Sequence, residues 1–334
     1  MGSNNVSKAD LHSHTRYSGF GKLGHLPFPE SVTKPEDIVL QARKKGMNVL
    51  AVTDHNETKG ALLAEKSARK IKGIDVIIGE EVSTRDGEVL ALFINETIPR
   101  DLTAEETIEK IHEQGGLAIV AHPFSPQCHC LGKKALSLNV DGVELFNSVH
   151  RDGYSNLLAQ LIFHKEGVAK VGGSDAHTLN MVGNGYTKFP GQGKDDLYKA
   201  IKKKQTIYGG KLTPVKEWLE WSGSVSKEAI SMLLPAFKVR NPTDDKLIEM
   251  GIDVQDPWSI IYRMKTRNKL MYLFGCYMYL SPGIPVTSSS IGERRLRKKG
   301  RATWKSLNQD HYLPDLRNVK LPSSTLWSLL FPED

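Results

Sequence analysis

Two histidines lie two positions apart near the start of the chain, and an aspartate and a histidine repeat that spacing far downstream. The first pair is His12 and His14, and the second is Asp175 and His177. Residues i and i+2 of a β-strand project from the same face, so both side chains of a pair can reach one metal ion. Imidazole and carboxylate groups are suitable ligands for zinc, manganese and iron. The two pairs therefore predict a metal centre.

More acids and histidines follow other apolar, strand-like segments. They are Asp54 and His55, Glu80 and Glu81, His122, and Glu144 with Asn147. In a parallel α/β fold the carboxyl ends of the strands meet at one edge, so we expect these side chains to converge. Asp54 could instead cap a helix that starts near Glu57. Glu80 and Glu81 could instead be solvated ends of a hairpin, and His150, a lone histidine, is interpreted as a surface or capped residue.

Short apolar or β-branched runs alternate with longer amphipathic stretches up to about residue 213. Eight runs are predicted as strands: 9–14, 49–53, 76–78, 89–94, 117–121, 142–146, 169–172 and 206–208. The run 89–94 is predicted to form a hairpin with the strand before it. Strands that alternate with helices are typical of βα units, which favours a parallel barrel or an open parallel sheet.

Three helices are predicted between these strands. One begins at Pro35 and ends near Gly46, because proline suits the first turn of a helix and glycine often follows the last. A second begins after Thr103, which forms a capping box with Glu106, and ends at the glycine pair 115–116. A third spans 194–204. The glycine-rich segments 183–185 and 191–193 are predicted as turns.

The chain is predicted to contain two regions, 1–213 and 214–334. The second is a basic accessory region of unknown fold that holds all five tryptophans, which are expected to be core residues. Within it, 219–237 and 260–279 are predicted as helices. The segment 281–300 is rich in Ser, Pro, Gly and cations, and is predicted as a loop.

Composition excludes several classes of protein. With 39% hydrophobic and 25% charged residues, the 334-residue chain is neither disordered nor fibrous. The three cysteines are too few for a disulfide framework, and Cys128 and Cys130 are predicted to be loop residues. No segment is long enough to span a membrane, and no signal peptide is visible, so we expect a cytoplasmic protein.

The net charge of +7 lies mostly in the last third of the chain. Much of it comes from the cationic run between Arg294 and Arg301. Such a run is either a solvated loop or a surface that contacts the phosphates of a nucleic acid.

Five motifs resemble those of the PHP (polymerase and histidinol phosphatase) phosphoesterases, and most closely their stand-alone branch, which acts on nucleotides and oligonucleotides. The resemblance extends in order from residue 9 to about 210. It implies a distorted (β/α)7 barrel of the α/β class, here followed by a mostly helical accessory region, and two or three divalent ions, Mn, Zn or Fe. The motifs are Ala-Asp-Leu-His-Ser-His-Thr (9–15), Val-Thr-Asp-His (52–55), Gly-Glu-Glu-Val-Ser (79–83), Ala-His-Pro (121–123) and Gly-Ser-Asp-Ala-His (173–177).

The resemblance also implies the distribution of the metal ligands. His12, His14, Glu81 and Asp175 match the ligands of one ion. Glu81 also bridges to a second ion held by His122, for which relatives supply a further histidine that has no secure counterpart here. His55 and His177 match ligands of a third ion. Relatives usually add an aspartate shortly after the first His-x-His pair, but this chain has Tyr-Ser-Gly-Phe at 17–20, so the third ion is weakly held, completed by His25 or water, or absent.

The mechanism that follows is attack on phosphorus by a hydroxide that bridges two metal ions. His177 or His55 could protonate the leaving oxygen. The candidate phosphate-binding residues are Arg16, which would also stabilise charge during catalysis, together with Lys22, His25 and Arg151. Asn147 and Asn156 are expected to orient the substrate, by resemblance only.

The function predicted from these observations is hydrolysis of phosphate esters of nucleotides or of RNA or DNA ends. The expected partners are a nucleotide or oligonucleotide and, through the basic region, nucleic acid; none is a membrane. Three alternatives stay open. They are a phosphatase for a small metabolite such as histidinol phosphate, a non-catalytic scaffold that binds nucleic acid, and an amidohydrolase that cleaves a C–N bond.

Overall fold

The structure is a computed structural model that describes residues 6–23, 26–163, 167–280, 294–295, 298–307 and 309. Its strands are β1 (Val6–Asp10), β2 (Phe20–Leu23), β3 (Leu26–Pro29), β4 (Val49–Val52), β5 (Asp75–Ser83), β6 (Glu88–Leu92), β7 (Leu117–Val120), β8 (Gly142–Asn147), β9 (Ala169–Gly173), β10 (Gly185–Pro190) and β11 (Ile207–Gly210). Its α-helices are α1 (Pro35–Lys44), α2 (Lys59–Ala68), α3 (Ala104–Glu113), α4 (Ser155–Phe163), α5 (Gly193–Lys202), α6 (Val215–Ala236), α7 (Asp244–Glu249), α8 (Ile260–Arg263) and α9 (Thr266–Leu280).

Nine of the strands form one sheet in the order β11-β10-β1-β4-β5-β6-β7-β8-β9. Seven of them point the same way, because β6 and β10 are the strands that run antiparallel to both of their neighbours. The α/β barrel expected from the resemblance is confirmed, as are the helices that follow it and the hairpin of β5 and β6. The prediction missed β10, because glycines flank that strand on both sides, and it also missed the hairpin of β2 and β3.

The sheet nearly closes on itself where β9, at one edge, approaches β10 and the other edge strand, β11. The Thr187 hydroxyl of β10 lies 2.9 Å from both the backbone N and O of Gly172 in β9. Beyond the end of β9, the Asp175 N–H donates to His12 O at 2.7 Å. This closure brings the two ends of the sheet, and the residues that follow β1 and β9, to one place.

The helices around the barrel follow their local sequence. Thr103 and Glu106 form the expected capping box at the start of α3. Pro35 opens α1, and Gly46 follows the helix with a φ of 79°, a conformation that glycine adopts without strain. The prediction of α5 is also confirmed. These helices cover a sheet whose strands β4 and β7 are buried along their whole length, as expected for parallel strands with both faces covered.

The described part of the accessory region is mostly helical. Helix α6 was predicted, but the long helix expected over 260–279 is divided into α8 and α9, since Met264 has an extended backbone with a ψ of 143°. Residues 294–295 and 298–300 are helical, so the predicted loop is wrong there. The segment 294–299 consists of arginine, leucine and lysine, which are good helix formers, whereas the Ser and Pro residues of the predicted loop all lie before it. The remainder of the predicted loop lies outside the described residues.

A second core holds α6 to the helices that follow it. It includes Ala229, Leu233, Leu247, Ile261 and Tyr272. The Trp258 side chain, next to this core, is fully buried. None of the helices in the described part of the chain combines the length and the apolar character needed to cross a bilayer.

Candidate metal centre

The polar residues predicted to converge lie together at one end of the barrel. Glu81 is their centre. Its Oε1 atom lies 3.0 Å from Nε2 of His122. Its Oε2 atom lies 3.2 Å from Nε2 of His12 and from Nδ1 of His55, and 3.4 Å from Nε2 of His14. One oxygen of this buried carboxylate therefore faces one imidazole and the other faces three, an arrangement that suits a ligand shared by two cations.

Asp175 is a second carboxylate beside His12 and His14, two of the imidazoles at Glu81 Oε2. Its Oδ1 atom lies 3.2 Å from His14 Nε2 and 3.6 Å from His12 Nε2. The backbone of Asp175 is left-handed, with a φ of 52°, and that of His122 has a φ of 24°. Such conformations are costly for residues with side chains and concentrate at functional sites. The strand-like spacing expected at Asp175 and His177 is therefore wrong, and a turn after β9 brings both side chains to the centre.

The first His-x-His pair also lies beyond regular strand. β1 ends at Asp10, four residues earlier than predicted, because the chain leaves β10 there. Ser13 then forms a single parallel bridge with Ala176. This bridge keeps the extended alternation, so His12 and His14 still face the same side.

Polar partners fix the orientation of both imidazoles. His12 Nδ1 lies 3.2 Å from Glu144 Oε1, and His14 Nδ1 lies 2.9 Å from Ser18 Oγ. The Ser18 hydroxyl donates in turn to Asp54 at 2.8 Å. These contacts leave the Nε2 atoms of both rings directed at Glu81 and Asp175. Outer partners of this kind typically hold metal-binding histidines in place.

A bulge in β8 brings two residues of that strand to the centre. Residues three apart on a regular strand face opposite sides, but the register with β9 shifts between Glu144 and Phe146. The Asn147 amide therefore donates to Glu144 Oε2 at 3.0 Å and to Asp175 Oδ2 at 3.1 Å. Asn156 lies behind it and exchanges two hydrogen bonds of 2.9 Å with the Asn147 backbone.

Two acids singled out in the sequence face away from the cluster. Glu80 points to the opposite side of β5 from its neighbour and accepts a hydrogen bond from Ile98 N at 2.9 Å. Asp54 accepts from Thr15 N and Oγ1, each at 2.6 Å, and so holds the turn after β1. It caps no helix, because Thr58 precedes α2.

Three side chains near the centre were not predicted from the sequence to lie there. Glu88 Oε2 is buried without a hydrogen-bond partner and lies 3.7 Å from His122 Nε2. His150 is buried rather than at the surface, and its ligand atom lies within 4.8 Å of those of His122 and Cys128. Cys128 lies in a loop, as predicted. Glu88 could have been recognised from the predicted hairpin, since the first residue of an antiparallel strand lies at the end of the sheet where the parallel strands finish.

The predicted phosphate-binding residues have varied surroundings. The Arg16 guanidinium lies 2.7 Å from Asp256 Oδ2 and stacks over the Trp258 ring at 5.2 Å. Arg151 donates to the Thr213 carbonyl at 2.5 Å. The Lys22 backbone lies in β2, and His25 lies outside the described residues.

Burial and charge oppose each other at several of the histidines. Burial lowers the pKa of both His55 and His122, but neighbouring carboxylates outweigh it, chiefly Glu30 at His55 and Glu81 at His122. Each pKa is thereby raised to about 9. At His14 burial prevails, with neighbouring imidazoles adding to it, and the pKa falls to about 3. His14 is therefore a neutral ligand across the physiological range.

The carboxylates respond to the same surroundings. Burial alone would raise the pKa values of Glu81 and Asp175, but the charge of His12 and its neighbours holds both well below their usual range. Burial raises the pKa of Glu88 to about 7, and the charge of Glu81 adds to this effect. The centre thus contains ionised carboxylates that positive charge must balance.

The donor set fits divalent cations. Two ligands of one tetrahedral zinc ion, with bonds of about 2.0 Å, lie roughly 3.3 Å apart. Three imidazole nitrogens lie 3.2–3.4 Å from the same Glu81 oxygen, and His14 Nε2 has no hydrogen-bond partner. His12, His14, Glu81 and Asp175 would hold one cation, and Glu81, His122 and Glu88 would hold a second.

Comparisons with known proteins agree with this arrangement. The PHP domain family matches residues 10–167, and the PHP-associated family matches residues 153–206. The uncharacterized protein MJ1587 of Methanocaldococcus jannaschii is 53% identical over 152 residues, which are 46% of this chain and 88% of that protein. The uncharacterized protein MJ0417 of the same organism is 31% identical over 189 residues, 54% of this chain and 70% of that protein.

A relative with a named activity is more distant. The 5'-3' exoribonuclease of Haemophilus influenzae is 27% identical over 202 residues, which are 58% of this chain and 61% of that protein. The family matches span the strands that carry the buried histidines and carboxylates. The chain therefore belongs to the PHP domain family.

Proposed function

We propose that this protein hydrolyses phosphate esters of nucleotides or of the ends of RNA or DNA chains. The observation that carries the hydrolytic part is the buried Glu81 carboxylate, whose two oxygens face different imidazoles, one oxygen facing a single ring and the other three. Divalent ions bound there would supply Lewis-acid stabilisation of the phosphoryl group and a water of lowered pKa.

The residues of the chain have distinct roles in this proposal. The Asn147 amide donates to both Asp175 and Glu144 and so fixes the position of one carboxylate relative to the other. His55 and His177 lie at the rim, with side chains 22% and 15% exposed, where they can bind a cation or donate a proton to the leaving oxygen. Arg16 and Arg151 are the candidates for binding the phosphate, and Asn156 positions Asn147.

A nucleotide substrate is supported by the surroundings of the rim. The ring of Trp221 lies 5.2 Å from that of His177, so an indole stands beside the centre where a base could stack. The similarity to the exoribonuclease points in the same direction. The cationic run from 294 to 301 would add contacts to the phosphates of a longer chain.

A small-metabolite phosphatase is the second candidate. Arg16 is engaged by Asp256 and Trp258, so this cation is not freely directed at a chain of phosphates. A single phosphate needs fewer cations than an oligonucleotide does. This observation favours a compact substrate.

Phosphate release from a small panel would decide between the candidates. The panel contains a nucleoside 3′,5′-bisphosphate, a 5′-phosphorylated oligoribonucleotide and histidinol phosphate, each assayed with Mn²⁺ and after chelation. We expect Mn²⁺-dependent turnover of a nucleotide substrate, lost in Asp175→Asn and retained in Asp195→Asn, which alters an exposed acid of α5. Turnover of histidinol phosphate alone would support the second candidate. Bound metal without turnover of any of the three would contradict both.

A further inference from the structure

A second group of imidazoles lies on the outer side of Glu81. The ligand atoms of His14, His55 and His177 lie within 4.8 Å of one another. The rings of His14 and His55 are stacked, with centroids 4.7 Å apart, and His14 and His177 are 4.5 Å apart. Three imidazoles alone bring no negative charge to a cation. The turn after β1 supplies none either, since Ser18 is held between His14 and Asp54.

One carboxylate outside the central set contacts a member of this group, His55. Glu30 Oε2 lies 3.1 Å from Nε2 of His55, and the Glu30 side chain is 21% exposed. Within the described residues, Glu30 forms one ion pair, and its partner is His55. The acid therefore faces an imidazole rather than a lysine or arginine, which would compete for it.

The segment that carries Glu30 is fastened to both histidine loops. Ser31 Oγ lies 3.0 Å from the carbonyl oxygens of His14 and His177. The Arg16 N–H donates to Thr33 O at 2.8 Å. The position of Glu30 is thus set by the same loops that position the imidazoles.

The accessory region fastens the segment from the other side. The indole N–H of Trp221, in α6, donates to the backbone oxygen of Glu30 at 2.6 Å. The Trp221 ring also lies 5.2 Å from the ring of His177. One residue of α6 therefore contacts both the backbone of Glu30 and an imidazole of the group.

We propose that Glu30, His55 and His177 form a divalent-cation site and that Trp221 is the positioning residue that holds Glu30 in it. The proposal deepens the proposed function and rests on it, since the site adjoins the Glu81 centre. Both imidazoles are then ligands rather than acids for the leaving group. The accessory region, through α6, becomes a part of the metal centre.

The test compares cation binding in four forms of the full chain after chelation and reloading. Mn²⁺ bound at equilibrium is counted by elemental analysis for wild type, Glu30→Gln, Trp221→Phe and Glu36→Gln. Glu36 is a matched control, because it is an exposed acid in the first turn of α1. Thermal unfolding of the metal-free forms shows whether each variant folds.

We expect Glu30→Gln to lose about one equivalent of Mn²⁺, or to bind the weakest equivalent at least roughly tenfold less tightly. The tighter equivalents should be unchanged. Trp221→Phe should weaken the same equivalent to a smaller extent, and Glu36→Gln should match wild type. Replacing Mn²⁺ by Co²⁺ gives a second measurement, because a paramagnetic ion next to His177 should quench tryptophan fluorescence in wild type and much less in Trp221→Phe.

Two results would overturn the proposal and are distinguishable. If wild type binds cations and Glu30→Gln binds the same number with the same affinity, Glu30 is not a ligand, while the proposed hydrolase stands. If wild type binds no divalent cation, both this site and the proposed function are wrong.

Discussion

At the scale of single residues, one carboxylate organises the centre. Glu81 is buried and contacts four imidazoles, and its neighbour Glu80 points to the other side of the same strand. The two residues have the same side chain and adjacent positions. Only the alternation of the strand separates a ligand from a structural acid.

This pair gives a matched experiment. We expect Glu81→Gln to lose bound metal and to lower kcat/KM for the best substrate by at least roughly a thousandfold, because the residue faces two cation positions. Glu80→Gln should keep its metal and most of its activity. Elemental analysis and steady-state kinetics measure both. Equal metal content in the two variants would contradict the assignment of Glu81.

The pKa values predict proton release when metal binds. His55 and His122, with pKa values of about 9, carry protons at pH 7 in the metal-free protein. Imidazole ligands must lose those protons to bind a cation. The affinity for Mn²⁺ should therefore rise between pH 6 and 9, by roughly tenfold per pH unit for each proton released.

Calorimetric titration measures this release directly. The binding enthalpy should differ between MOPS and Tris buffers at the same pH, since the buffer takes up the protons. An enthalpy that is independent of the buffer, together with a flat affinity between pH 6 and 9, would show that the metal-free imidazoles are already neutral.

At the scale of elements, the ends of strands determine what reaches the centre. The β8 bulge turns Asn147 inward, and the antiparallel direction of β6 places Glu88 beside His122. The close approach of β9 to the segment that follows β1 also requires glycine. A Cβ atom on Gly173 would lie 2.5 Å from His12 Cβ and 2.7 Å from Glu144 Oε1.

We therefore expect Gly173→Ala to displace His12 or Glu144. The substitution should lower stability by roughly 1–3 kcal/mol and reduce metal content. Gly223→Ala, in α6, is a suitable control, because a Cβ there meets no atom within 4 Å. Denaturant unfolding and elemental analysis of both variants provide the measurements. Normal metal content in Gly173→Ala would mean that β9 and the segment that follows β1 can separate without cost to the centre.

At the scale of the whole molecule, the barrel gathers negative charge that metal must balance. In the metal-free protein, protonated histidines take that role. The folded-state pKa of about 9 at His55 and His122 is above the ordinary value of about 6.5. The stabilisation from these groups is thus complete below pH 6.5 and is lost as the pH rises to 9.

The melting temperature of the metal-free protein should therefore fall between pH 6.5 and 9. Glu80 acts in the same direction, since burial raises its pKa to about 8 and its ionisation costs stability. With Mn²⁺ bound, the melting temperature should be higher and should change less across this range. Differential scanning calorimetry with and without metal measures the difference. A metal-free protein that becomes more stable towards pH 9 would contradict the charge balance described here.

The amino-acid sequence alone predicts a metal centre and most of its candidate ligands. The His-x-His pair, the acids and histidines at strand ends, and the alternation of strands with helices all follow from local periodicity, which a sequence displays. Periodicity placed Glu80, Glu81, His122 and Asp175 near strand ends, and the resemblance to the PHP family selected Glu81 from the first two. The capping box of α3 and the start of α1 at Pro35 could also be predicted from the sequence.

Which distant groups meet these residues depends on how the chain folds. Glu88 lies beside His122 because the antiparallel strand β6 begins where its parallel neighbours end. Glu30 contacts His55 because α6 and two loops hold its segment there. Arg16 is paired with Asp256, a residue 240 positions away. These contacts depend on how the barrel closes and on where the accessory helices pack. Local periodicity predicts neither the barrel closure nor the helix packing, because both are set by elements that are far apart in the chain.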